Sequence, residues 1–141
     1  MFGKYVRRRR MGGRFVVSPN CNTEVIKAVK KAGMDSIPGV FTASECFTAI
    51  DAGADALKLF PAAQIGVMGL RALKAVLPPD MPVLAVGGVD EAQFEGWLAA
   101  GAAGFGLGGE LYRAGMTASE IARRAKEIVL AYQAAREKIA N

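Results

Sequence analysis

From Arg14 onward one unit recurs along the chain: a short β-branched or apolar run, a loop, an amphipathic stretch of helical period, then a glycine. The apolar runs at 15–18, 36–40, 56–60, 83–86 and 104–107 predict strands. The stretches at 23–32, 43–52, 69–76, 91–100 and 118–139 predict helices. Their starts are marked by side chains able to take up free amides. Thr42 with Glu45 and Thr117 with Glu120 each read as a capping box, and Asp90 is a candidate cap for the fourth helix. Gly33, Gly53 and Gly101 stand where helices stop and the chain needs a left-handed residue.

Strands that alternate with helices imply parallel βαβ units with right-handed crossovers. Five such units leave two architectures open. One is a doubly wound five-stranded sheet. The other is part of an eight-stranded βα barrel, which ordinarily takes ~200 residues or more. At 141 residues the chain suits one domain.

Composition adds exclusions. No apolar run nears the ~20 residues that span a bilayer, so no membrane partner is expected. The two cysteines, Cys21 and Cys46, show neither metal spacing nor a disulfide framework, and a reducing cytoplasmic setting follows as the simplest expectation. The formal charge of +5 is concentrated at the start, in Lys4, Arg7, Arg8, Arg9, Arg10 and Arg14. Such a cluster can hold phosphate backbones non-specifically. No reading helix or aromatic platform follows it, so a solvated, disordered start over residues 1–11 is the expectation, without a nucleic-acid partner.

Lys58 is the most informative residue. It interrupts Ala56-Leu57-Lys58-Leu59-Phe60, a run that otherwise reads as a strand buried on both faces. Alternation sends Leu57 and Leu59 to one face and Ala56, Lys58 and Phe60 to the other. A buried ammonium is costly, which favours the neutral amine, the nucleophile that forms an imine with a ketone. An edge lysine whose stem packs while its head reaches water explains the pattern equally well.

Val86-Gly87-Gly88-Val89 and Gly106-Leu107-Gly108-Gly109 both follow strands and lead towards helices. Glycines there let backbone amides approach a phosphate, although tight βα turns need glycine as well. Two such pairs on consecutive strand ends favour phosphate. Pro19, Pro38 and Pro61 read as turn residues at strand ends, and Asp90, Glu110 and Glu120 have capping explanations. Histidine is absent, which removes Ser–His and Cys–His catalysis and leaves no metal site expected.

At these residues a family resemblance enters. Leu57-Lys58-Leu59-Phe60-Pro61-Ala62, with Phe15 to Asn20 upstream and Ala85 to Val89 downstream, resembles the 2-dehydro-3-deoxy-phosphogluconate/phosphogalactonate aldolases. Ser18 to Ile26 and Gly108 to Gly115 look more like the phosphogalactonate branch. The match runs from about Gly12 to the C-terminus. It implies a partial (β/α)8 barrel of about five parallel βα units. It also implies a lyase that cleaves 2-dehydro-3-deoxy-6-phosphogalactonate to pyruvate and glyceraldehyde 3-phosphate without a cofactor. By motif match Lys58 is the Schiff-base lysine, and Pro19, Thr42 and Phe60 line the pyruvate end. Gly87, Gly88, Gly108 and Gly109 match the phosphate loops, and a homotrimer is the family's common assembly.

Two departures accompany the resemblance. Relatives often carry Ser where this chain has Gly109. The family's first three βα units, with a proton-shuttling glutamate and an arginine for the substrate carboxylate, have no counterpart here, and residues 1–11 match none of them. The expectation is therefore a truncated aldolase, impaired in turnover, spanning residues 12–141 behind a non-matching basic start. The alternative is an inactive fragment that serves only as a phosphate-binding or assembly module.

Overall fold

The computed structural model describes residues 2–140. Six helices and six short strands alternate along it: α1 (Phe2–Arg10), β1 (Phe15–Val17), α2 (Thr23–Lys31), β2 (Asp35–Ile37), β3 (Gly39–Val40), α3 (Ala43–Asp51), β4 (Leu57–Leu59), α4 (Ala62–Lys74), β5 (Val83–Val86), α5 (Phe94–Ala99), β6 (Gly104–Gly106) and α6 (Ala118–Ala140). The helix starts follow their capping residues. The Asn22 side chain accepts from the Val25 amide at 3.1 Å. Thr42 and Glu45 satisfy each other's backbone amides in a closed capping box. Thr117 and Glu120 do the same ahead of α6.

Every strand pairing is parallel. β1 pairs with β2, and β3, β4, β5 and β6 follow in sequence order. The expected strand at 36–40 is divided at Pro38, which has no amide to give to a ladder. Its two halves still act as one stave, since the Pro38 carbonyl accepts from the Lys58 amide at 2.9 Å and the Ser36 carbonyl from Asp55 at 3.0 Å. Five staves therefore stand side by side in an arc, as the βα pattern anticipated. Among the described residues β1 and β6 are each paired along one edge only.

Two expectations are corrected at helices. Residue 1 lies outside the described residues, and within the stretch expected to be a disordered start residues 2–10 form helix α1. Tyr5 anchors it, 6 % exposed in a cluster with Val29 and Met34. Arg7 to Arg10 lie in its last turn, where the helix dipole favours cations. Their charge had obscured one apolar anchor. The helix expected at 69–76 starts earlier, at Ala62, and contains Gly66 at φ 72°, ψ 169°. That non-helical residue breaks the apolar period, so only the later part shows it in sequence.

The arc buries one face and leaves the other open. Leu57, Leu59, Val83 and Ala85 turn outward against the helices and are fully buried with Ile26, Cys46, Leu70, Phe94 and Trp97. Phe94 stacks on Phe105 with ring centroids 4.2 Å apart, and Tyr132 meets Phe105 edge-on at 6.1 Å. The inner row of the sheet contains Gly39, Lys58, Leu84 and Gly104 in register. Phe15 and Val17 on β1 stand 61 % and 48 % exposed. The expectation that the Lys58 strand is buried on both faces therefore holds for its leucine face, whereas on the other face only Ala56 is buried and Phe60 is exposed. Lys58 itself is half-buried.

Candidate active site

Because the strands are parallel, the segments that leave β4, β5 and β6 emerge at one rim. They are Phe60-Pro61, Gly87-Gly88 and Leu107-Gly108-Gly109. Lys58 projects from the inner face just below that rim, with Nζ 4.4 Å from the centre of the Phe60 ring. An ammonium there gains cation–π attraction, and a neutral amine keeps an apolar wall. Among the described residues no carboxylate lies within 4.0 Å of Lys58.

Pro19 is brought to the same region by a backbone contact that needs glycine. A Cβ on Gly39, the register partner of Lys58, would lie 2.2 Å from the Pro19 carbonyl oxygen. Thr42 stands at the end of β3, but its hydroxyl is committed to the capping box with Glu45. Backbone amides of Phe41 and Thr42 hold the Glu45 carboxyl below its ordinary range. Cys21 and Cys46 are pushed the other way by burial, Cys46 up to about 11, so both are thiols at neutral pH.

The first glycine pair is built for close approach. Gly87 and Gly88 have φ of 92° and 71°, a left-handed pair open to glycine at little cost. A Cβ on Gly87 would meet the Phe60 ring at 3.1 Å, and one on Gly88 would meet the Ala63 Cβ at 2.7 Å. The Gly87 carbonyl accepts from the Ala63 amide at 3.0 Å, which ties this loop to the start of α4. Gly108 and Gly109 differ. Nothing lies within 4 Å of a Cβ at either, so space alone does not demand glycine. The Gly108 amide donates to the Glu110 carboxylate at 3.3 Å, an anion already seated on one backbone donor.

Residues that the sequence reading passed over complete the rim. Arg124, on α6, donates through Nε to the Glu110 carbonyl at 2.9 Å and pairs with the Glu91 carboxylate. Arg113 donates to the Gly109 carbonyl at 3.2 Å. With Asp90 and Met116 these groups surround a cleft of about 400 Å³. Periodicity gave no sign of Arg124, which reads as one more cation on a helix face. A separate apolar hollow of about 320 Å³, lined by Leu84, Phe94, Phe105 and Tyr132, lies along the β6 edge. Among the described residues no group of three or more His, Cys, Asp or Glu could hold a metal ion. No described helix is long and apolar enough to cross a membrane.

An amine on the inner face of a parallel βα arc, with glycine loops on the neighbouring strand ends, can join an imine-forming group to an anion-binding one. Known proteins share this sequence and fold. Residues 4–128 match the sequence pattern of the family described as KDPG and KHG aldolase. The chain belongs to that family. The 2-dehydro-3-deoxy-6-phosphogalactonate aldolase of Escherichia coli (strain K12) is 48 % identical over 126 residues, which cover 89 % of this chain and 62 % of that protein. A solved structure described as native KDPGal superposes with a TM-score of 0.92 at 44 % identity, covering 97 % of this chain and 66 % of its own. A KDPG aldolase from Legionella pneumophila, solved with pyruvate captured as a covalent carbinolamine, gives a TM-score of 0.71 at 26 % identity, over 94 % of this chain and 64 % of that one. The chain thus spans about three-fifths of the length of the curated relatives it matches.

Proposed function

We propose that the chain carries the Schiff-base half of a class I aldolase site for 2-dehydro-3-deoxy-6-phosphogalactonate, with Lys58 as the amine. The observation that carries this reading is the position of Lys58, on the inner face beside Phe60 and one strand from Gly87-Gly88. The neutral amine adds to the C2 ketone, and loss of water from the carbinolamine leaves an iminium. The C4 hydroxyl gives its proton to a base, the C3–C4 bond breaks, and its electron pair moves into the iminium as an enamine. Glyceraldehyde 3-phosphate leaves. Protonation at C3 and hydrolysis then free pyruvate and the lysine.

Pro19, Thr42 and Phe60 line the pyruvate end in this reading, and Gly87, Gly88, Gly108 and Gly109 hold the phosphate through backbone donors. A homotrimer and a cytoplasmic setting belong to the same proposal, with no membrane or nucleic-acid partner. Exposed Phe41, Met68 and Val76 on the outer surface support self-association.

One observation favours impaired turnover. Among the described residues Lys58 has no carboxylate beside it to shuttle protons. A positioned acid–base group contributes ~10²–10⁴-fold, so this chain by itself is expected to turn over slowly while still forming the imine. The experiment is borohydride trapping with pyruvate, read by intact mass and peptide mapping. An adduct on Lys58 that disappears in Lys58→Ala is the expected result. An adduct that persists in Lys58→Ala defeats the assignment, and near-full pyruvate release by the purified chain defeats the impaired-turnover reading. Phosphate binding with no adduct at all favours the alternative, a phosphate-binding or assembly module.

A further inference from the structure

We propose that Arg124 is a positioning residue that clamps the two glycine loops at the separation an anion needs, an inference that rests on the phosphate reading above. The guanidinium reaches both loops at once. Nε donates to the carbonyl of Glu110, which directly follows Gly108-Gly109, at 2.9 Å. Nη1 pairs with the carboxylate of Glu91, three residues beyond Gly88 at the start of the 3-10 turn Glu91–Gln93. A planar guanidinium offers donors in a rigid fork, so one side chain fixes the distance between two backbone segments.

The setting separates this pair from an ordinary surface bridge. The side chains of Arg124 and Glu91 are 29 % and 22 % exposed, whereas those of the neighbouring pair Arg123–Glu127 are 68 % and 45 % exposed. Salt therefore screens the Arg124 contact less. The pair also reinforces its own charges: Glu91 is held below its ordinary range by Arg124, and Arg124 is raised further by Glu91. Two other acids, Asp90 and Glu110, line the same cleft, so a fixed cation there offsets charge that would repel a phosphate. Glu127 approaches the same Nη1 at 3.5 Å and holds the guanidinium from its own helix.

The test titrates inorganic phosphate into the intact chain and reads the Gly88 and Gly109 amide resonances, alongside thermal melting. Arg124→Ala is expected to weaken phosphate roughly tenfold, the scale of one charge-assisted hydrogen bond. Glu91→Gln should weaken it as well, and the double variant should be no worse than Arg124→Ala, because both changes open one clamp. Arg124→Lys keeps the charge but not the fork, and should fall between. A lower melting temperature with unchanged phosphate affinity in Arg124→Ala overturns the clamp and leaves a structural bridge. Weaker binding in Arg124→Ala with unchanged or tighter binding in Glu91→Gln also overturns it, since Arg124 then touches the anion itself. No phosphate binding by the intact chain, or binding indifferent to Gly88→Ala, removes the phosphate reading and the clamp with it. Binding lost in Gly88→Ala and retained in Arg124→Ala removes the clamp alone.

Discussion

Gly88→Ala is a single added methyl group whose cost can be worked out from two independent features of the backbone. Gly88 has φ of 71°, and an alanine held there costs about 1–2 kcal/mol. The new Cβ would also stand 2.7 Å from the Ala63 Cβ, a contact with the start of α4 rather than with a flexible side-chain end. Forcing a methyl into such a site costs roughly 1–3 kcal/mol. The stiffer unfolded chain returns about 0.4–1 kcal/mol. The net expectation is a loss of about 1–5 kcal/mol, read as a lower urea midpoint at unchanged slope. Ala63→Gly separates the two causes. Added to Gly88→Ala, it removes the contact but not the backbone strain, so the double variant should recover about 1–2 kcal/mol. Phosphate affinity should stay low in both, because the strained residue still presents its amide at a changed angle. An unchanged midpoint in Gly88→Ala, or no recovery with Ala63→Gly, would refute the assignment of this loop as a forced close approach.

Three further outcomes follow from the same geometry. Phe94→Ala removes the ring stacked on Phe105 in the buried core, and should cost about 3–5 kcal/mol in the same urea assay, with a loss under 1 kcal/mol counting against it. The Glu45 carboxyl sits below its ordinary 4.5 because the Phe41 and Thr42 amides donate to it; its contribution is complete above that value and is lost as pH falls through the lowered one. Hydrogen exchange at the Phe41 and Thr42 amides should therefore show protection that persists as pH falls through 4.5 and drops only on further acidification, and protection indifferent to acidification until the whole chain unfolds would exclude the capping role. Glu110→Gln takes a competing negative charge off the Gly108 amide, and should tighten inorganic phosphate roughly two- to fivefold; weaker binding would mean that Glu110 supports the loop rather than competing for it.

Much of the fold was legible because it is governed by local pattern. Alternation in the Lys58 run separated Leu57 and Leu59 from Lys58 and Phe60, and the structure keeps that division. Thr42, Glu45, Thr117 and Glu120 announced their helices because a capping box spans three residues and needs no distant partner. The motif around Lys58 pointed to the aldolase family, and residues 4–128 belong to it. Other features escaped because their causes lie far apart in the chain. The basic start reads as solvated until Tyr5 is seen packed with Val29 and Met34. The Gly66 kink concealed the first part of α4 by breaking its period.

Sequence by itself determined the alternation of strands and helices, the one-sided apolar faces and the family, since each follows from spacing within a few residues or from a contiguous motif. Only the tertiary structure decided that Gly39 must be glycine, because the carbonyl that forbids a Cβ there belongs to Pro19, on another strand end. Only it decided that Arg124 joins two loops, because Glu91 and Glu110 reach one guanidinium from opposite sides of β6 and its neighbours in the chain. And only it decided how far Lys58 is covered. Lys58 stands in register between Gly39 on β3 and Leu84 on β5, so its cover is a property of the assembled sheet and not of any one run of residues.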